Sequence, residues 1–334
     1  DSRGTFSNSL YYPGQTGQWV ITAKLGTLTA TATVTVSHGS AVSLKIAPGS
    51  ATLTADEQQA YHGTAIDSDG NQWNVTGEIS WSVNDLSGTM SANVYSAGQV
   101  GNWITAASYN TLVATASVSV SYGSAVSLKI NPEVITLTAN EQQAYCGTAT
   151  DSDGNQWDIT DEISWSEDDP SGTMSANLYF AGQVGNWMIT GNYTTLVATA
   201  TVKVTPGLAT SISITPQNIS LYVDEVSNYS VTATDSKGNS WDVTDWATIT
   251  TTGGGIFADN KFRAGSEGSF TITADYLNLT ASTTVKIISH GEAVIIELHL
   301  STDTVTADGA VTCILYGTDT KGICWDTTAN VDTF

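Results

Sequence analysis

The chain has 334 residues and a formal net charge of −22, yet only 13% of its residues are Asp, Glu, Lys or Arg. So acidic a surface repels phosphate, which sets aside nucleic acid and anionic membranes as partners; the sparse charge also argues against a charged disordered tail. Hydrophobic residues make up 40% with 10 Trp and 13 Tyr, ample for packed cores. No run nears the ~18 consecutive apolar residues of a membrane span, so direct membrane insertion is not expected.

Taken in chain order, the sequence opens on alternating apolar positions. Tyr11, Trp19, Ile21, Ala23 and Leu25, then Leu28, Ala30, Ala32, Val34 and Val36, read as short strands ending in a hairpin. From Ser40 the alternation continues. Val42, Leu44 and Ile46 predict a strand stopped by Pro48, and Leu53 a short continuation. Tyr61, Gly63 and Ala65 line the next strand, which turns at Asp67–Gly70. Trp73, Val75, Ile79 and Trp81 follow, then a polar stretch over residues 84–91, then Tyr95. Gly101-Asn-Trp103 leads into a last hairpin through Ala107, Tyr109, Leu112, Ala114, Ala116, Val118 and Val120. About seven short strands with turn signals between them predict an all-β fold, an antiparallel sandwich pairing bulky Trp and Tyr with small Gly and Ala.

The same elements then recur. D-S-D-G-N-Q-W begins at Asp67 and Asp151, D-S-K-G-N-S-W at Asp235 and D-T-K-G-I-C-W at Asp319, each 84 residues after the last. A fixed period settles architecture ahead of any local signal. Three periods are whole (40–123, 124–207 and 208–291). Residues 1–39 are the back half of a unit and 292–334 the front half. In the 208–291 unit, Ile249 replaces the tryptophan of Trp81 and Trp165, and Gly253–Gly255 replace the polar stretch.

The pattern A-x-D-S-D-G-N-x-W-D-[VI]-T-x-x-[IV]-S-W-S, followed by A-G-x-x-G-x-W-x-I-T-x-x-Y-x-x-L-x-A-T-A-x-V-x-V, resembles the bacterial Ig-like group-two domain. The resemblance covers the whole chain. It implies tandem Ig-like sandwiches on surface proteins, adhesins, layer proteins and stalks, and no single activity, since the fold hosts many.

Little in the chain suggests chemistry. The four histidines (His38, His62, His290 and His299) are scattered, and no HExxH, Cys/His zinc spacing or G-x-S-x-G elbow occurs. Acid pairs such as Asp168–Asp169 read as solvated turns, and no enzyme is expected. The one metal-like feature is the turn at Asp67, Asp69 and Asn71, with Asp151, Asp153 and Asn155 one period on. Its alternating oxygens suit calcium. They equally suit a hairpin turn in which Asp accepts backbone bonds and Gly supplies positive φ, and Lys237 and Lys321 show the turn surviving without its second carboxylate. Apart from that calcium, no cofactor is expected. Cys146 points outward, Cys313 inward, and a Cys313–Cys324 bridge does not follow from a simple hairpin register. The repeated Trp73, Trp157, Trp241 and Trp325 read as inward core anchors; a glycan-binding adhesin would need aromatics exposed on one face.

Asn74, Asn192, Asn218, Asn228 and Asn278 stand in N-x-[ST] acceptor sequons, which suits an exported glycoprotein at the cell surface. Neither half unit at the ends should fold alone. Asp1 shares the phase of Asp85 and Phe334 that of Ser82, so a second copy would resume the period after two missing positions. The expectation is a structural subunit that joins copies of itself head to tail in a filament. Tyr11, Trp19, Ile21, Leu28, Val34 and Val36 of one subunit would close on Val294, Ile296, Leu298, Leu315 and Trp325 of the next. The alternative is a stalk, layer or adhesin segment of a longer continuous Ig-repeat chain in which the same halves are completed covalently.

Overall fold

The computed structural model describes residues 1–305 and 310–328 and is all-β, a tandem of Ig-like sandwiches. In the 40–123 period, Ala41–Ala47, His62–Asp67 and Gln72–Asn74 form one antiparallel sheet. Facing it, Ser80–Val83, Gly101–Tyr109 and Leu112–Ser121 form a second, whose last strand is joined by Ser50–Thr54 in parallel register. That parallel pair departs from the antiparallel expectation: the chain crosses from one sheet to the other at Pro48 and runs alongside the final strand. A small third sheet of Gln58–Ala60, Val94–Ser96 and Thr89–Ser91 closes one end and includes part of the stretch read as polar loop. The same strand sets recur in the two following periods.

By packing, the chain divides into two compact units. The first holds residues 1–133, 144–166 and 189–200; the second holds 134–143, 167–188 and the described residues from 201 onward. In the first, the core of the 40–123 period gathers Leu53, Tyr61, Tyr95, Ala116, Val118 and Val120, with Ala65, Val75, Ile79 and Ala107 beside them. In the second, Ile214, Val231, Val243, Phe262, Ile272 and Val285 play the same part.

Two inward assignments need correction. Val42 is 58% exposed, because a bulge between Ala41 and Ser43 breaks the alternation; the bulge and an exposed Val126 recur one period on. The repeated tryptophans are half-buried, and the largest fully sealed side chains are Tyr61, Tyr95, Tyr145, Tyr179 and Phe262. Two other tryptophans of the period, Trp81 and Trp103, are also half-buried, and there the indole N–H has a backbone partner. Trp81 donates to the Thr76 carbonyl at 3.2 Å and Trp103 to the Gln99 carbonyl at 2.7 Å. The G-x-W word has a related cause. Gly101 has φ of 150°, and a Cβ there would lie 3.0 Å from the Trp103 ring.

One exchange of volume runs between periods. A Cβ on Gly63 would meet Ile79 Cδ1 at 2.0 Å, and one on Gly147 would meet Ile163 Cδ1 at 2.0 Å. At the same positions the 208–291 period has Val231, fully buried, and Ala247 packed at its core. Large and small have traded places at constant total volume.

The half units are open. Leu298 is 53% exposed, whereas of its counterparts Ile130 and Ile214 are 1% and 0% exposed and Ile46 is half-buried. Val294, Ile296 and Leu28 are likewise exposed; Tyr11, Trp19, Ile21, Val34, Val36, Leu315 and Trp325 are half-buried. Val34 and Val36 correspond to Val118 and Val120, which are sealed. Gly17–Leu25 and Leu28–Val36 form a nine-pair hairpin, and Ile295–Leu300, Cys313–Thr318 and Cys324–Asp326 form a three-stranded sheet. Cys313 pairs with Leu300 and Cys324 with Thr318; both cysteines are free, as is the exposed Cys146. Phe334 lies outside the described residues.

Exchange of volume predicts a thermodynamic cycle. Gly63→Val alone should destabilise the 40–123 sandwich by about 1–3 kcal/mol through overpacking, and Ile79→Ala alone by about 2–5 kcal/mol through a cavity. The double variant should recover most of either loss in urea unfolding; strict additivity of the two losses would refute the pairing.

Candidate functional site

The D-S-x-G-N turn is the most elaborate polar arrangement of the molecule, and it lies where one period meets the next. Asp67 Oδ1 accepts the Asp69 and Asn71 backbone N–H groups at 3.1 and 2.8 Å. Its Oδ2 accepts the Gly39 N–H and the Asn71 amide, both at 2.9 Å. One carboxylate therefore shapes the turn and also pins the incoming linker at its glycine. Asp151 does the same with Gly123, Asp235 with Gly207 and Asp319 with Gly291. Burial works against ionisation of Asp67, but the amide of Asn71 and the N–H groups of Gly39, Asn71 and Asp69 outweigh it and bring the pKa down to about 2. The carboxylates of Asp151 and Asp235 are lowered by the same contest.

The asparagine that ends the turn reaches into the preceding period. Asn155 donates from Nδ2 to the Gly98 carbonyl at 2.8 Å and accepts the Val100 N–H on Oδ1 at 3.1 Å. Asn239 repeats this with Gly182 and Val184, both at 2.9 Å. Asn71 accepts the Thr16 N–H at 3.2 Å and the Arg3 guanidinium at 2.8 Å, while Arg3 also donates to the Asp69 carbonyl. A primary amide has one donor side and one acceptor side, so it pairs with a peptide as another peptide would.

The loop that is gripped is itself held by a second buried carboxylate. Asp85 Oδ2 accepts the Tyr95 hydroxyl at 2.7 Å and the Gly98 N–H at 3.1 Å, while Oδ1 accepts the Ser87 N–H at 3.0 Å. Asp169 has the same set with Tyr179, Gly182 and Ser171, and Asp1 has it with Tyr11 and Gly14. Burial opposes the charge on Asp85, yet the bonds from Tyr95 and the backbone prevail and its pKa is lowered; burial, with Asp85 beside it, raises that of Tyr95. Asp169 is 4% exposed, which corrects the reading of Asp168–Asp169 as a solvated turn pair. Asp168 Oδ1, for its part, accepts the Met188 N–H.

The 208–291 period departs from this as a set. Gly253 stands at the carboxylate position and Phe262 at the tyrosine. The Gly254 carbonyl takes the N–H groups of Gly265 and Ser266 at 2.6 and 3.1 Å. The following turn has Ile323 in place of the asparagine. Hydroxyl, carboxylate and gripping amide are lost together, since each loses its partner when another goes.

A ring from each linker adds a third contact. His38 stacks on Trp73 at 3.8 Å between centroids, Tyr122 on Trp157 at 4.6 Å and His290 on Trp325 at 4.4 Å. The inward tryptophans thus also serve the joints. Pro206 occupies the linker position before Trp241.

For calcium the donor set does not fit: both oxygens of Asp67 and of Asp151 already accept N–H donors, and Asn71 and Asn155 are spent on the preceding loop. Among the described residues no three His, Cys, Asp or Glu side chains converge as a metal set. The sequon asparagines Asn74, Asn192, Asn218, Asn228 and Asn278 are all exposed; the Asn74 carbonyl oxygen accepts the Thr76 N–H, and that of Asn218 the Thr284 hydroxyl. The Asn clasp and the Tyr–Asp pair were not anticipated. Their signal was the joint change of Asp85, Tyr95 and Asn155 to Gly253, Phe262 and Ile323, positions that align once the 208–291 period is allowed a one-residue deletion before Phe262.

No protein-family model matches the chain. It is 26% identical over 260 residues to ice-binding protein 1 of Shewanella frigidimarina; the match takes in 73% of this chain and 29% of that protein, so the chain spans under a third of this relative's length. Among solved structures it is similar to the Escherichia coli adhesin FdeC, with 16% identity, TM-score 0.40, and coverage of 74% of this chain and 96% of that one. It is also similar to invasin, described as a bacterial integrin-binding protein, with 14% identity, TM-score 0.38, and coverage of 86% and 68%. Domains 1–6 of the surface layer protein SbsC give 17% identity, TM-score 0.29, and coverage of 89% and 46%.

Two outcomes test the joint. Asn155→Ala should speed hydrogen exchange at the Val100 amide by about tenfold or more while the core amide of Val118 is unchanged; equal protection at Val100 would dismiss the clasp. Because the folded pKa of Asp67 lies below that of an unfolded aspartate, near 3.9, its stabilisation is whole above about pH 4 and is lost as pH falls toward 2. Asp67→Asn should therefore lower the melting temperature at pH 6 and flatten its decline between pH 4 and pH 2.

Proposed function

We propose that the chain is an extracellular structural array, a run of Ig-like sandwiches that transmits load through fixed joints, with each half unit completed by a complementary half of the same pattern. The observation that carries this is the contrast in burial. Leu298, Val34 and Val36 are open or half-open in the half units, while at the same positions of whole periods Ile130, Ile214, Val118 and Val120 are sealed and Ile46 is half-buried. Completion would bury a domain core cut in two, an interface of the obligate kind, and would satisfy the open strand edges. The extracellular setting rests on the Ig-like group-two resemblance and on five exposed acceptor sequons. Ordered joints serve such a role, since a clasp of paired amide and peptide resists rotation between neighbours better than a bare linker does.

In the first reading the complement is a second copy of the chain, head to tail, which grows a filament because such a contact does not close. The second reading, an internal stretch of a longer stalk, is favoured by the match to only 29% of the relative's length. Sedimentation of the 334-residue chain across a concentration series separates them. Concentration-dependent polymers that Leu298→Asp abolishes support self-joining. A monomer at every concentration overturns it, and the stalk reading then requires that appending a further front half before Asp1 protects the Val34 amide from exchange.

A further inference from the structure

The 208–291 period carries a cleft of about 500 Å³ lined by Trp241, Trp246, Tyr276 and Leu277. Two of these residues are peculiar to this period. Trp246 stands where the earlier periods have Glu78 and Glu162, and Leu277 where they have Asn110 and Thr194. Both changes replace a polar side chain with an apolar one at the surface: Trp246 is 73% exposed and Leu277 67%. Leu277 also sits at φ of 53°, a left-handed turn position that asparagine takes readily and leucine adopts only at a cost. Neither change serves the core, and both face the same opening.

We propose that this cleft is a binding site for a neutral saccharide. A volume of this size suits a small ligand, and four side chains cannot supply the roughly 800 Å² per partner of a stable protein interface. The lining offers indole and phenol rings and one aliphatic chain. It offers no charged group to pair with a carboxylate ligand, and although aromatic faces attract ammonium ions, a cation would leave the N–H and O–H donors of the lining without an acceptor. The net charge of −22 further disfavours an anionic one. What remains complementary is a ring with an apolar C–H face and hydroxyls at its rim. The faces of Trp241 and Trp246 meet the first, and the two indole N–H groups and the Tyr276 hydroxyl, which have no protein partner among the described residues, meet the second.

The test titrates the full chain with glucose-, mannose- and N-acetylglucosamine-based tetrasaccharides, following tryptophan emission and calorimetric heat, with choline as a cationic comparison. At least one tetrasaccharide should bind and shift the emission. Trp246→Glu, which restores the residue of the other periods at an exposed position and so leaves the fold intact, should weaken it by about tenfold or more. Absence of binding by every tetrasaccharide, equal binding by the variant, or tighter binding of choline would each overturn the proposal.

Discussion

The arrangement of this molecule depends on buried carboxylates that collect backbone N–H groups. A turn of the D-S-x-G-N kind leaves several peptide donors facing inward, and an unpaired buried N–H costs more than a typical hydrogen bond returns. Asp67 and its counterparts collect the donors of their own turn and one more, that of the linker glycine. Once that extra donor is included, the path of the chain from one sandwich into the next is no longer free. The clasp and the ring stack can form only because the linker is already held.

From Tyr95 the bonds run to Asp85, through the Gly98 peptide to Asn155, and on to Asp151 and the Gly123 linker. Two links join side chains and three join a side chain to a peptide, so the core of one period is tied to the turn of the next without a salt bridge. Ionised carboxylates strengthen the bonds they accept, which suits a series of short contacts. The junction after the 208–291 period is built otherwise. There Asp319 still pins Gly291, and His290 donates to the Val223 carbonyl while its ring lies over Trp325, but Ile323 leaves the preceding loop ungripped. The joints of the array are therefore unequally bonded.

Much of the fold was legible in the sequence, because an 84-residue recurrence, one residue short at Gly268, and period-two alternation are both geometric signals. The strand pairs at Gly101–Tyr109 and Leu112–Ser121 follow directly from them. Alternation misled at Val42, where a bulge resets the phase, and overstated the depth of Trp73, Trp157, Trp241 and Trp325, which lie half-buried at the margin of the core. The joint was less legible because its partners are distant in sequence. Asn155 lies 57 residues from Gly98, and nothing local distinguishes an asparagine that ends a turn from one that grips a neighbour. Comparison of periods within the one chain does distinguish them, as Gly253, Phe262 and Ile323 show.

The trade of Gly63 and Ile79 for Val231 and Ala247 bears on how such a chain reaches its native form. Neighbouring periods share so much sequence that a hairpin from one could invade the next during folding, a characteristic failure of tandem arrays. Were the strand carrying Val231 to enter the 124–207 sandwich, its side chain would meet Ile163 in a space that fits only the glycine at 147. The mismatch opposes exchange of that strand between the 124–207 and 208–291 periods, whereas the first two periods, with Gly63 and Ile79 matching Gly147 and Ile163, stay interchangeable at this point.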